Sequence, residues 1–117
     1  MGLDFTISEL TEEKIDEQGR IIQTNVELDN FYHDGYKMMD YGLGNQENCT
    51  TVAYDTRQFI QCLDDMRKAL DEINSTGIDK YNEKTDLESA IDTLHCFIEQ
   101  ENLTEDSDRI FDIHVWY

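Results

Sequence analysis

From Thr56 onward the apolar side chains Phe59, Leu63, Met66, Leu70 and Ile73 recur in steps of four, three, four and three, a spacing that places all five on one stripe of an α-helix. A helix with a single apolar stripe must lay it on another layer of structure. Asp55 or Thr56 can cap its start, and Asn74 to Gly77 can stop it. A second helix is expected from Thr85, where Thr85-Asp86-Leu87-Glu88 has the pattern of a capping box, with Leu87, Ile91, Leu94 and Ile98 facing inward and an end near Asn102.

The layer these stripes need is written near the two ends of the chain. Leu3, Phe5 and Ile7 alternate with Asp4, Thr6 and Ser8, the period of a half-buried strand. Ile22, Thr24, Val26 and Leu28 alternate again after the polar stretch Thr11 to Gly19, so the two runs read as an antiparallel hairpin with a long, acidic, solvated connection. Ile110 to Tyr117 returns to alternation, with Phe111, Ile113, Val115 and Tyr117 on one side and Asp112 and His114 on the other. Residues 30–50 have no clear period but concentrate Phe31, Tyr32, Tyr36 and Tyr41 with Gly35, Gly42 and Gly44, which predicts a structured loop with one short helical turn. The order β-β-α-α-β predicts one α+β domain over residues 1–117, a three-stranded antiparallel sheet covered on one face by two helices. If the edge of the final strand is free, an isologous dimer could form there.

Charge narrows the function. Against 9 Lys and Arg the 117 residues carry 27 Asp and Glu, a formal charge of −18, while 38% hydrophobic residues suffice for a small core. Residues 1–50 hold 11 acids and 3 bases, 51–101 hold 12 and 5, and 102–117 hold 4 and 1. The excess is therefore spread along the fold and is not an acidic tail. Such a surface repels phosphates, which excludes direct nucleic-acid binding, and it exceeds the charge of about 2–8 that solubility needs. Asp64, Asp65, Asp71 and Glu72 flank the first helical stripe, and Glu99 and Glu101 end the second helix, with Glu105, Asp106 and Asp108 following. Carboxylates at a helix C-terminus oppose its macrodipole, which stability alone would not select. A domain of this length is expected to have a radius of gyration near 13 Å and a diameter of about 35 Å. A duplex of that length carries about 20 phosphates, a total similar to this chain's charge. A basic nucleic-acid groove on another protein is the natural target, with binding that weakens in salt.

Catalytic and metal signatures are thin. His33, His95 and His114 fall on three elements, and no C-x-x-C or H-x-x-x-H spacing accompanies His95-Cys96. Asp106-Ser107-Asp108 lacks the glycine and distal glutamate of a calcium loop, and Gly42-Leu43-Gly44-Asn45 lacks the ending of a phosphate loop. No enzyme activity, cofactor or metal is expected; a small hydrolase or metal protein using the three histidines is the remaining competitor. Cys49, Cys62 and Cys96 are read as free thiols, and the sequons at Asn48, Asn74 and Asn102 as chance. Met1-Gly2-Leu3-Asp4-Phe5-Thr6 fits the loose myristoylation pattern but has no basic patch beside it. No apolar run approaches the roughly 20 residues of a membrane span, and the N-terminus lacks a secretory signal, so a cytoplasmic protein is expected.

The opening Met1-Gly2-Leu3-Asp4-Phe5-Thr6-Ile7, the segment Asn45–Tyr54 leading into an acidic helix, and the closing Trp116-Tyr117 resemble small proteins encoded by bacteriophages and related mobile elements. Compactness and strong acidity are also similar to phage inhibitors of host defence, including anti-CRISPR proteins that occupy the nucleic-acid or PAM-reading cleft of a Cas nuclease. The resemblance implies a cytoplasmic inhibitor in an infected bacterium whose carboxylates replace phosphates, or the PAM bases read by arginine pairs. Independently of it, carboxylates accept bidentate bonds from arginine. The partner-binding candidates are Asp64, Asp65, Asp71, Glu72, Glu99, Glu101, Glu105, Asp106 and Asp108, with Tyr32, Tyr36 and Tyr41 as interface anchors or as packing of a loop over the sheet. An immunity protein or antitoxin that neutralises a basic nuclease toxin rests on the same electrostatics and is the alternative.

Overall fold

The computed structural model describes residues 2–117, with residues 10–14, 23 and 24 as backbone. The chain runs β1 (Asp4–Ile15), β2 (Ile21–Asn30), α1 (Gly35–Asp40), β3 (Thr50–Asp55), α2 (Thr56–Thr76), α3 (Lys84–Gln100) and β4 (Ile110–Trp116). The strands form one four-stranded sheet in the order β2-β1-β4-β3, every neighbouring pair antiparallel. This corrects the expected three strands and two helices. The additional strand, β3, is short and lies at the sheet edge, so Val52 on its core-facing side is 39% exposed and Tyr54 alone is buried. That leaves little apolar alternation to read. Because β3 and β1 flank β4, the final strand has no free edge, and the dimer imagined through it is excluded in this fold.

Phe5, Ile7, Phe111, Ile113 and Val115 put their side chains on the face that α2 and α3 cover, where Phe59, Leu63, Met66, Leu87, Leu94 and Phe97 meet them. Five phenylalanines fuse the layers: Phe97 lies 5.6 Å from both Phe31 and Phe59 and 6.0 Å from Phe111, and Phe31 stacks on Phe5 at 5.8 Å. The segment between β2 and β3 joins the helical layer, burying Phe31, Met38 and Leu43. Gly44 closes it over Phe5: its φ is +77°, and a Cβ there would lie 2.4 Å from the Phe5 ring. Asp34, ahead of α1, accepts hydrogen bonds from the hydroxyls of Ser89 and Thr93 on α3.

The caps are partly local and partly not. Asp55 accepts from the Gln58 N–H while the Gln58 side chain accepts from the Asp55 N–H, a complete capping box, and Gly77 ends α2 with φ 70° and its N–H on the Ile73 carbonyl. For α3 the expected box at Thr85 is not formed. Asp79 accepts from the N–H groups of Glu83 and Lys84 instead, bonds that hold its carboxyl below the usual range.

The hairpin is longer and its turn tighter than the expected connection over Thr11 to Gly19. β1 pairs with β4 only from Asp4 to Glu9, where a first register shift against β2 already falls between Ile7 and Ser8; beyond that it continues with β2 alone, through a second shift between Leu10 and Glu12, to a turn at Asp16–Arg20. There Asp16 accepts from the N–H groups of Gln18 and Arg20 and from Arg20 Nε. The side chains of Thr11 to Lys14 lie outside the described residues, as does Met1 of the myristoylation pattern. The protruding arm gives the molecule extents of 62 × 35 × 18 Å and a radius of gyration of 16.2 Å, correcting the sphere assumed from chain length.

Candidate partner-binding surface

Closure of β3 and α2 against the α3–β4 segment brings distant carboxylates together. Two adjoining recesses of about 460 and 380 Å³ share Arg57 and Glu105; Asp55, Asp106 and Asp108 line the first and Asp64 the second. Asp64, Glu105, Asp106 and Asp108 were candidates from sequence. Asp55 was not, because its cap role gave no sign that the fold would turn residues 105–108 back onto it. Five carboxylates therefore face two guanidinium groups, and one of those, Arg109, is already engaged.

Arg109 donates from Nε and Nη2 to the two Glu9 oxygens at 2.7 and 2.8 Å, and from Nη1 and Nη2 to the Glu101 carbonyl and carboxylate at 2.7 and 2.8 Å. The paired guanidinium holds the Glu9 carboxyl below its ordinary range. Glu101 is thereby a structural tie and not a free group on the surface. Glu99 Oε1 lies 3.1 Å from His95 Nε2. By contrast, Asp64, Asp65, Asp71, Glu72, Glu105, Asp106 and Asp108 form no ion pair among the described residues. All but Asp65 are exposed, and Asp65 accepts from Gln61 Nε2 at 2.9 Å.

Asp71 and Glu72 stand further along α2, about 10–12 Å from Asp64 at the rise of a helix, and Glu72 lines a different recess with Tyr41, Lys80 and Glu83. The tyrosines do not converge. Tyr41 donates to Glu83 at 3.2 Å, and Lys37 bridges Glu83 at 2.9 Å and Asp40 at 3.2 Å. Burial and the Glu83 charge push the Tyr41 hydroxyl up. Tyr36 borders His33, Asp40 and Asp86, while Tyr32 opens toward Trp116 and Tyr117 at another part of the surface.

The histidines stay apart as well: His33 packs edge-on against Tyr32, His95 contacts Arg67 and Glu99, and His114 Nδ1 lies 2.9 Å from Thr51 Oγ1 on the helix-free face. Among the described residues no group of three or more His, Cys, Asp or Glu is placed to hold a metal ion. Burial pushes the Cys62 thiol up to about 12, whereas Cys49 and Cys96 are exposed. Among the described residues no helix is long and apolar enough to cross a membrane. No protein-family model matches the chain, and searches of curated proteins and of solved structures return no match.

Proposed function

We propose that the protein is an acidic inhibitor that occupies the nucleic-acid-binding cleft of a bacterial defence nuclease, in the manner of anti-CRISPR proteins that mimic DNA. The observation that carries this reading is the set of seven carboxylates on α2 and residues 105–108 that form no ion pair among the described residues, in a chain whose Arg109, Lys37 and Arg20 are bound to other acids. Exposed like charges destabilise the compact state, and they find their compensation in a partner's arginines and lysines.

Magnitudes refine the mimicry. Eighteen charges along a 62 Å axis are one per about 3.4 Å, the spacing of a single strand and half the density of a duplex. The protein thus competes through the carboxylates of Asp55, Asp64, Glu105, Asp106 and Asp108 gathered around Arg57 and not by reproducing a duplex along its length. Binding requires no metal, cofactor or chemical step from this chain.

Immobilised protein is expected to retain a nucleic-acid-binding protein from bacterial lysate at low salt and release it at high salt. Reversal of Asp64 and Asp65 to Lys, or of Glu105 and Asp106 to Lys, should weaken retention about tenfold or more while leaving the circular dichroism unchanged. Undiminished retention by both folded variants would refute the assignment. If the captured protein is a toxin nuclease whose lethality this chain suppresses, the immunity-protein reading replaces the defence-nuclease one.

A further inference from the structure

Away from the acidic end of α2, Tyr32, Trp116 and Tyr117 border one recess of about 440 Å³ together with Asp4 and Asn30. Trp116 is 60% exposed and Tyr32 53%, a large aromatic area to leave in water. Asp4 is the cross-strand partner of Trp116, so both side chains rise from the helix-free face of the sheet. Its carboxylate is oriented: Asn30 Nδ2 and Thr6 Oγ1 each donate to Oδ1 at 2.6 Å, and among the described residues Oδ2 accepts no hydrogen bond.

The aromatic walls are held in place too. The Tyr117 N–H donates to Asn48 Oδ1 at 2.8 Å and its hydroxyl to the Gln46 carbonyl at 3.2 Å. Tyr32 lies against Gly2, where a Cβ would stand 2.2 Å from the phenolic oxygen.

We propose that this recess binds a guanidinium group, the end of an arginine side chain presented by a protein partner. A planar cation stacks on aromatic faces and offers a fork of donors to a carboxylate. The alternatives fit less well. A nucleobase would stack but bring its phosphate against a charge of −18. An apolar side chain would bury Asp4 Oδ2 without a partner. An ammonium group is more strongly hydrated and cannot stack. The inference rests on the reading that the partner is a basic protein, and it names a second contact, remote from α2, through which such a partner is held.

Trp116 is the only tryptophan in the chain, so its fluorescence reports on this recess. Titration of the full chain with acetyl-Gly-Arg-Gly-amide is expected to give a saturable fluorescence change. The citrulline peptide, of the same shape without the charge, should give none, and the lysine peptide, of the same charge, should bind at least about threefold more weakly than the arginine peptide. Asp4→Asn and Tyr32→Ala should each weaken arginine binding about fivefold. Asp92→Asn, which removes one exposed charge on α3, should leave it unchanged. No saturable response to arginine, equal responses to citrulline or lysine, or undiminished binding by the folded Asp4→Asn variant would overturn the proposal. The titration needs no partner. Arginine binding by a chain that captures no nucleic-acid-binding protein would therefore sink the proposed function alone, and the opposite pair of results would sink this site alone.

Discussion

Arg109 illustrates how a chain with few cations uses one of them. Its guanidinium ties Glu9 on β1 to Glu101 at the end of α3 and lies 5.0 Å from the centre of the Phe111 ring. Removing it leaves two half-buried carboxylates without their cation, so Arg109→Ala should lower stability by about 2 kcal/mol in urea unfolding, a value reduced from a fully buried pair because the side chain is 32% exposed. Arg109→Lys should recover only part, since an ammonium cannot serve both acids with the same fork. The pH dependence has a definite sign. Glu9 is held below the ordinary carboxylate value of 4.5, so its contribution is present above that pH and disappears as pH falls through the depressed folded value. Arg109→Ala should accordingly flatten the loss of stability as pH falls below the ordinary carboxylate value. A variant as stable as the parent with an unchanged acid limb would contradict this role. None of this was legible in the sequence, where Glu101 counted as one more surface acid; its partner Arg109 lies 8 residues on, and that arginine's other acid lies 100 residues before the arginine.

Elements were readable where their signals are local. The stripe from Phe59 to Ile73 lies within α2 and the Asp55 cap and Gly77 stop immediately flank it, and the alternation of Phe111, Ile113 and Val115 lies within β4. The start of α3 was placed within one residue, but its cap was misassigned because Asp79 supplies it from outside the helix, across a turn that short-range patterns do not encode. β3 was missed because an edge strand buries one side chain, and the distal hairpin because its strands pair only with each other, past two register shifts. The Asp55 cap carries its own prediction. Asp55→Ala removes the side-chain half of the capping box and should cost about 1 kcal/mol, whereas Asp55→Asn, which can still accept from the Gln58 N–H, should cost clearly less. Equal losses in thermal unfolding would show that charge, and not the cap, sets the value of this residue.

For the molecule as a whole, composition stated how much charge there is but not where it gathers. Folding takes Glu9, Glu101, Glu83, Asp40 and Asp16 into internal ion pairs and leaves the α2 and 105–108 carboxylates outward. It also scatters the three tyrosines that a common interface would have joined. The long axis created by the hairpin arm halves the charge density that chain length alone suggested. Five carboxylates remain gathered around Arg57, and the proposed mimicry makes one demand on them: the protein and the nucleic acid must exclude each other from the partner. The decisive measurement is the affinity of the captured partner for this protein with and without a saturating duplex. The account predicts that pre-bound DNA abolishes binding and that affinity falls steeply with salt; a ternary complex of undiminished affinity would contradict it.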